Sequence, residues 1–267
     1  MEEIKNPLFS LAQGKIITGL DEDGILILRI NREEVLGALD PEASGKMEEI
    51  LNAAEKDPSV RVIILTGTGK GFCTGEDLAA NTENGGCMTV MDHGFGGMTS
   101  RVSKKPIICA ANGHAIGGGL EIALSCDIIV ASEKAKFGLT ECKVGFIAST
   151  GGLVKLPKAI SPKIASEMVL TGNLITAQRA CEIGLINYVV SPDEVLPKAL
   201  EIAKTIAANA PISLRLSKQI MHVAQQASAE DAQRMCDVAW DYIEKTEDGI
   251  EGPLAFVEKR KPNWKGC

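Results

Sequence analysis

Apolar residues along this chain fall in short, evenly spaced runs. The runs at 25–30 and 61–66 are dense in Ile, Leu and Val and close on polar or Gly residues, the pattern of buried strands. Between them, Asp40 followed by Pro41 predicts an N-cap with proline at the first helical position, opening a helix to about residue 55. A further strand is predicted at 106–111. Asn112-Gly113 and Gly117-Gly118-Gly119 then lead into a helix at 120–125, followed by strands at 127–131 and around 135–138. Alternation of this kind implies an α/β fold with parallel pairing.

The pattern changes near residue 191. Ser191-Pro192-Asp193-Glu194 has the spacing of a capping box, and helices are predicted over 195–209, 212–227 and 229–245, with a short one at 253–259. The chain therefore divides into an α/β body, 1–194, and a helical region, 195–267. Such a helical tail serves oligomerisation, forms a lid or packs on its own core. Residues 80–97 are polar and Gly-rich and predict a mobile loop with room for a functional role, His93 included.

Composition narrows the classes. With 45% hydrophobic and 24% charged residues among 267, the chain is globular rather than disordered or fibrous. Its 28 Lys and Arg against 35 Asp and Glu give a net charge of −7, and no basic block stands out, which argues against a nucleic-acid partner. No apolar run approaches the roughly 18 residues of a membrane helix. The start, Met1-Glu2-Glu3-Ile4-Lys5, has neither a basic nor an apolar leader segment, so a soluble cytoplasmic protein is expected. The eight cysteines are scattered without a CxxC pair, and only His93, His114 and His222 could join them. Free thiols and no metal site are expected.

Two apparent motifs fail on spacing. Thr66-Gly67-Thr68-Gly69-Lys70-Gly71 follows a strand but lacks the outer glycine and the Ser or Thr of a phosphate loop, and Phe72 breaks a dinucleotide fingerprint, so a tight turn is expected there. Ser149 lacks the first glycine of a nucleophile elbow, because Ile147 stands in its place. The stretch 112–152 is more informative. Three consecutive glycines let a ligand approach the backbone and leave free N–H groups at a helix start. Gly118 and Glu121, three apart, share a face if the helix begins there. Glu141 lies twenty positions further on. Backbone donors beside two carboxylates can stabilise an oxyanion while protons move.

Those residues also resemble a known family. Asn112-Gly113-His114-Ala115-Ile116-Gly117-Gly118-Gly119-Leu120-Glu121, Cys126-Asp127-Ile128 and Phe137-Gly138-Leu139-Thr140-Glu141 are similar to the enoyl-CoA hydratase/isomerase (crotonase) superfamily. The resemblance runs on through Phe72-Cys73-Thr74-Gly75-Glu76-Asp77-Leu78, Gly151-Gly152, 180–186 and 251–260, covering about 14–266. Within the family, Phe95-Gly96-Gly97, Ser166-Glu167-Met168-Val169 and Trp264-Lys265-Gly266 resemble the carnitinyl-CoA (crotonobetainyl-CoA) dehydratases.

The resemblance implies a ββα spiral core and a helical C-terminal region that builds homotrimers, often paired into hexamers. It implies an oxyanion hole from the backbone N–H groups of Glu76 and Gly118, and an acid/base pair in Glu121 and Glu141. Val35, Ala38, Asp77 and Leu78 match positions lining the path of coenzyme A, which arrives as part of the substrate, so no separate cofactor is implied. The chain departs from the family at Glu33, Gly37, Thr140 and Ala148, which bears on the shape of the acyl pocket. The expected activity is reversible hydration of a trans-2-enoyl-CoA. A Δ3,Δ2-enoyl-CoA isomerase is the alternative, and the presence of both carboxylates favours the hydratase. An RNA-binding homologue of the same fold is the other alternative, and the acidic balance weighs against it.

Overall fold

The structure, a computed structural model, describes residues 14–83 and 91–267. A six-stranded sheet forms the centre, in the order β1 (Ile16–Leu20), β2 (Ile25–Ile30), β3 (Val62–Gly67), β5 (Ile107–Ala111), β7 (Ile128–Ser132), β10 (Tyr188–Val190). Only the β1–β2 hairpin is antiparallel. The remaining pairs are parallel, as the alternation predicts.

A smaller sheet runs beside it in the order β4 (Gly71–Cys73), β6 (His114–Ile116), β8 (Lys136–Gly138), β9 (Ile175–Thr176). Each of β3, β5 and β7 leaves the large sheet and, within a few residues, enters the small one as β4, β6 or β8. A helix follows each time: α2 (Leu78–Glu83), α3 (Gly118–Ala123) and α4 (Gly152–Ala159). Three successive ββα turns make the expected spiral.

The strands read as unbroken apolar runs because both faces of the large sheet are covered. Leu26, Leu28, Ile63, Leu65, Ile107 and Cys109 face α1 (Pro41–Lys56) and the main core. The alternate residues Ile25, Val62, Ile64, Ile108, Ala110 and Val130 face α7 (Val195–Ala207), with Val195, Ala199 and Ala203 against them. The α1 cap forms as predicted, with the Asp40 carboxylate accepting from the Ala43 N–H at 2.8 Å. The 66–71 stretch is a tight turn. Asn112 latches it, accepting from the Gly67 N–H at 2.7 Å and donating to the Gly69 and Gly71 carbonyls.

Three local expectations need correction. Ser191 makes no side-chain cap; residues Pro192–Glu194 form a 3-10 turn, and α7 starts only after it. The last helix is α10 (Glu247–Val257), not 253–259. Thr246 caps it by accepting from the Gly249 N–H at 3.0 Å, and Pro253, expected at a helix start, sits inside it. Of the predicted loop, 80–83 belong to α2 and 84–90 lie outside the described residues. Its last part is packed, with Phe95–Gly97 a buried 3-10 turn against α1. His93 places its ring on Glu48 of α1. α5 (Pro162–Thr171), α6 (Ala177–Glu182), α8 (Pro211–Ala224) and α9 (Ala229–Ile243) complete the chain. None of the helices among the described residues is long and apolar enough to cross a membrane.

Candidate active site

The glycine run lies where β6 of the small sheet turns into α3. Gly117 has φ +56°, a left-handed conformation that side chains disfavour, and a Cβ there would come 3.0 Å from Oε1 of Glu141. Gly119 presses α3 against β4 so closely that a Cβ would collide with the Cys73 carbonyl. Gly118, the first residue of α3, meets the ring of Phe95, which would be 2.6 Å from its Cβ. Its N–H has no acceptor among the described residues.

One turn on, Glu121 is only 3% exposed, yet both its oxygens are served. Oε1 accepts from the Gly152 N–H at 2.8 Å, and Oε2 accepts from the Thr150 hydroxyl. Glu141 opens the 3-10 turn after β8, and its environment is the opposite. Oε2 is buried without a hydrogen-bond partner. Burial pushes the Glu141 carboxyl above its ordinary value, and the negative charge of Glu121 pushes in the same direction. The two neighbouring carboxyl groups thus lie in unlike surroundings, one with both oxygens hydrogen-bonded and the other with a buried oxygen that has no partner.

The strand end carrying Glu76 approaches from the other side. Gly75, at φ +96°, lies against α3, so that a Cβ there would come 3.2 Å from the Gly118 nitrogen. Glu76 bridges Leu39 in parallel fashion: Leu39 donates to the Gly75 carbonyl at 2.8 Å and accepts from the Asp77 N–H at 3.0 Å. That pattern turns the N–H of Glu76 itself away from Leu39. The structure thus brings Gly118, Glu121 and Glu141 together and sets residue 75, next to Glu76, on the same glycine.

Two of the four residues expected along the coenzyme A path, Ala38 and Asp77, are joined by a side chain to which the sequence assigns no role. Arg32 is buried; it donates to the Ala38 carbonyl and reaches Asp77 at 3.0 Å and Asp40 at 3.1 Å. Asp77 in turn accepts from the Ala80 N–H at the start of α2, beside the exposed Leu78. The Val35 carbonyl accepts from the Ala38 N–H and the Thr74 hydroxyl. Gly37, a departure from the family, has φ +75° and packs on the Phe72 carbonyl. Arg32→Met should destabilise the fold by about 3 kcal/mol, the usual cost of stranding buried carboxylates. It should also raise KM for a coenzyme A thioester more than it lowers kcat; denaturation and steady-state kinetics check both.

Thr150 is a second residue that sequence reasoning missed, although it adjoins Ser149, whose neighbours do not suit a nucleophile elbow; Ser149 itself is exposed. His114 is occupied structurally, its Nδ1 accepting from the Lys136 N–H at 3.2 Å. The described cysteines are unpaired; Cys87 lies outside the described residues.

Known proteins carry the same arrangement of sequence and fold. A family model described as enoyl-CoA hydratase/isomerase matches residues 21–267. The (E)-benzylidenesuccinyl-CoA hydratase of Thauera aromatica is 40% identical over 91% of this chain and 96% of its own length. The carnitinyl-CoA dehydratase of Proteus mirabilis is 39% identical over 86% of this chain and 90% of its own. The crystal structure of an enoyl-CoA hydratase from Mycobacterium tuberculosis superposes with a TM-score of 0.90 at 35% identity, covering 96% of this chain and all of that one. The glycine turn, the paired carboxylates and the ββα spiral thus sit in a chain that belongs to the enoyl-CoA hydratase/isomerase family.

Proposed function

We propose that this protein is a hydro-lyase that adds water reversibly across the double bond of a trans-2-enoyl-CoA, with Glu121 as base and Glu141 as acid. The observation that carries the reading is the contrast between the two carboxyl groups beside Gly117 and Gly118. The thioester oxygen accepts from the N–H groups of Gly118 and Glu76, which take up negative charge as it develops and make the β-carbon electrophilic. Glu121, ionised and held by Thr150 and Gly152, removes a proton from water as the oxygen bonds to the β-carbon. Glu141 gives its proton to the α-carbon. A proton returns from Glu121 to Glu141 before the next turnover. Dehydration runs the same steps backwards.

Val35, Ala38, Asp77 and Leu78, of which Arg32 ties Ala38 to Asp77, line the approach of the coenzyme A portion, and no separate cofactor enters the scheme. The names of the relatives point to acyl groups carrying a bulky substituent, and crotonobetainyl-CoA, hydrated to carnitinyl-CoA, is the substrate proposed. Crotonyl-, crotonobetainyl- and benzylidenesuccinyl-CoA, followed by loss of enoyl absorbance, test the reading. Hydration of crotonobetainyl-CoA ahead of the others supports it, and no hydration of any of the three overturns it.

The reading includes a cytoplasmic homotrimer or pair of trimers built through 195–267. α7 is spent on the sheet, but α8 to α10 leave Val238, Trp240, Phe256 and Val257 well exposed. A cleft of about 470 Å³ between α8 and α9, lined by Leu216, Ile220, Met235, Val238 and Tyr242, belongs to this face and not to the carboxylates. Exposed apolar side chains of this kind suit a subunit contact. Light scattering should give a trimer or hexamer, and truncation before Ser228 should give smaller or aggregated species; a monodisperse full-length monomer would defeat the assignment.

A further inference from the structure

Near the carboxylates lies a half-buried cation that the reaction scheme leaves without a task. Lys155 is on α4, three residues beyond the Gly152 N–H that grips Glu121. Its Nζ donates to Ser125 Oγ at 2.5 Å and to the Thr99 carbonyl at 2.7 Å. Ser125 Oγ passes the contact on, donating to the backbone carbonyl of Glu121 at 2.7 Å. Thr99 Oγ1 accepts from the Phe95 N–H at 2.8 Å, and the Phe95 ring is the one that packs on Gly118. One ammonium group therefore joins the helix that carries the base, the helix that clamps it and the turn that backs the oxyanion donor.

A lysine in this place is not a neutral choice. Burial lowers the Lys155 pKa, and the negative charge of Glu121 opposes that effect. An apolar side chain would fill the space without the desolvation cost. A long, charged one makes sense where charge and reach are both used.

We propose that Lys155 is a positioning residue for Glu121: through Ser125 and Thr99 it fixes α3 against α4 and so keeps the Glu121 side chain aligned with its donors. The inference rests on the reading of Glu121 as the base.

The test is the steady-state kinetics of crotonyl-CoA hydration by Lys155→Gln and Lys155→Arg. Without the ammonium group α3 and α4 lose their shared anchor, so kcat should fall about tenfold in Lys155→Gln. KM should change little, and Lys155→Arg should restore kcat. A folded Lys155→Gln with kcat unchanged overturns the proposal. Should that variant not fold, Ser125→Ala replaces it: it cuts the link to α3 alone, so kcat should fall severalfold. An unchanged kcat counts against the proposal. Glu121→Gln separates the two levels of inference. If it stays active, the base assignment fails and this proposal with it; if it is dead while Lys155→Gln turns over normally, only the role of Lys155 fails.

Discussion

Glu141→Gln should lower hydration of an enoyl-CoA by about 10²–10⁴, the usual worth of a positioned acid, and should silence exchange of the α-proton with deuterated solvent. Glutamine keeps the shape of the side chain but has no carboxyl proton to deliver. Substrate affinity should change far less than turnover, because the Gly118 and Glu76 donors are untouched. Glu121→Gln should be impaired by a similar factor, but through water, so some α-proton exchange should survive. A Glu121→Gln protein that hydrates normally while only Glu141→Gln is dead would defeat the two-carboxylate scheme and put the isomerase reading in its place.

The same pair fixes the sign of the pH dependence. In the proposed scheme Glu141 serves as the protonated acid, and burial first, then the charge of Glu121, holds its pKa above the ordinary value. Hydration should therefore be retained above the normal glutamate range and lost as pH rises through the elevated pKa. In Glu121→Gln the Coulomb contribution disappears, so whatever activity remains should lose its alkaline limb at a lower pH. An unmoved limb would mean that the two groups do not sense each other.

The strands and the site segment were legible in the sequence for a shared reason: their signals are local. A run such as 61–66 is apolar throughout because both faces of its strand are buried, and Gly117 to Glu121 is a contiguous turn and helix start. Arg32, Thr150 and Lys155 were not legible as site residues. Each acts through partners distant in the chain: Arg32 and Asp77 are 45 residues apart, Thr150 and Glu121 are 29 apart, and Lys155 and Thr99 are 56 apart. The small-sheet strands β4 and β6, three residues each, are too short for periodicity to register. Ser191 shows the converse failure, where a capping pattern is present in sequence but a proline directly after it starts a 3-10 turn and the hydroxyl is not used.

Substitution at Gly118 separates donor from shape. Gly118→Ala keeps the N–H but drives a methyl group into the Phe95 ring, which would be 2.6 Å from the new Cβ. Gly118→Pro places a Cβ in the same direction and in addition removes the N–H. The position is the first of α3, where proline suits a helix and no intrahelical bond is lost. The alanine variant therefore measures the cost of displacing Phe95, and the further loss in the proline variant measures the oxyanion donor. That further loss should be about 10²–10³ in kcat, the usual effect of deleting one such donor. Because the donor grips the thioester oxygen most strongly as negative charge builds on it, kcat should fall much more than affinity for the substrate. Circular dichroism and thermal melts on both variants guard against a trivial folding defect. If folded Gly118→Pro turned over as fast as Gly118→Ala, the N–H at 118 would have no part in the chemistry, and the oxyanion hole would have to be sought elsewhere on the glycine turn.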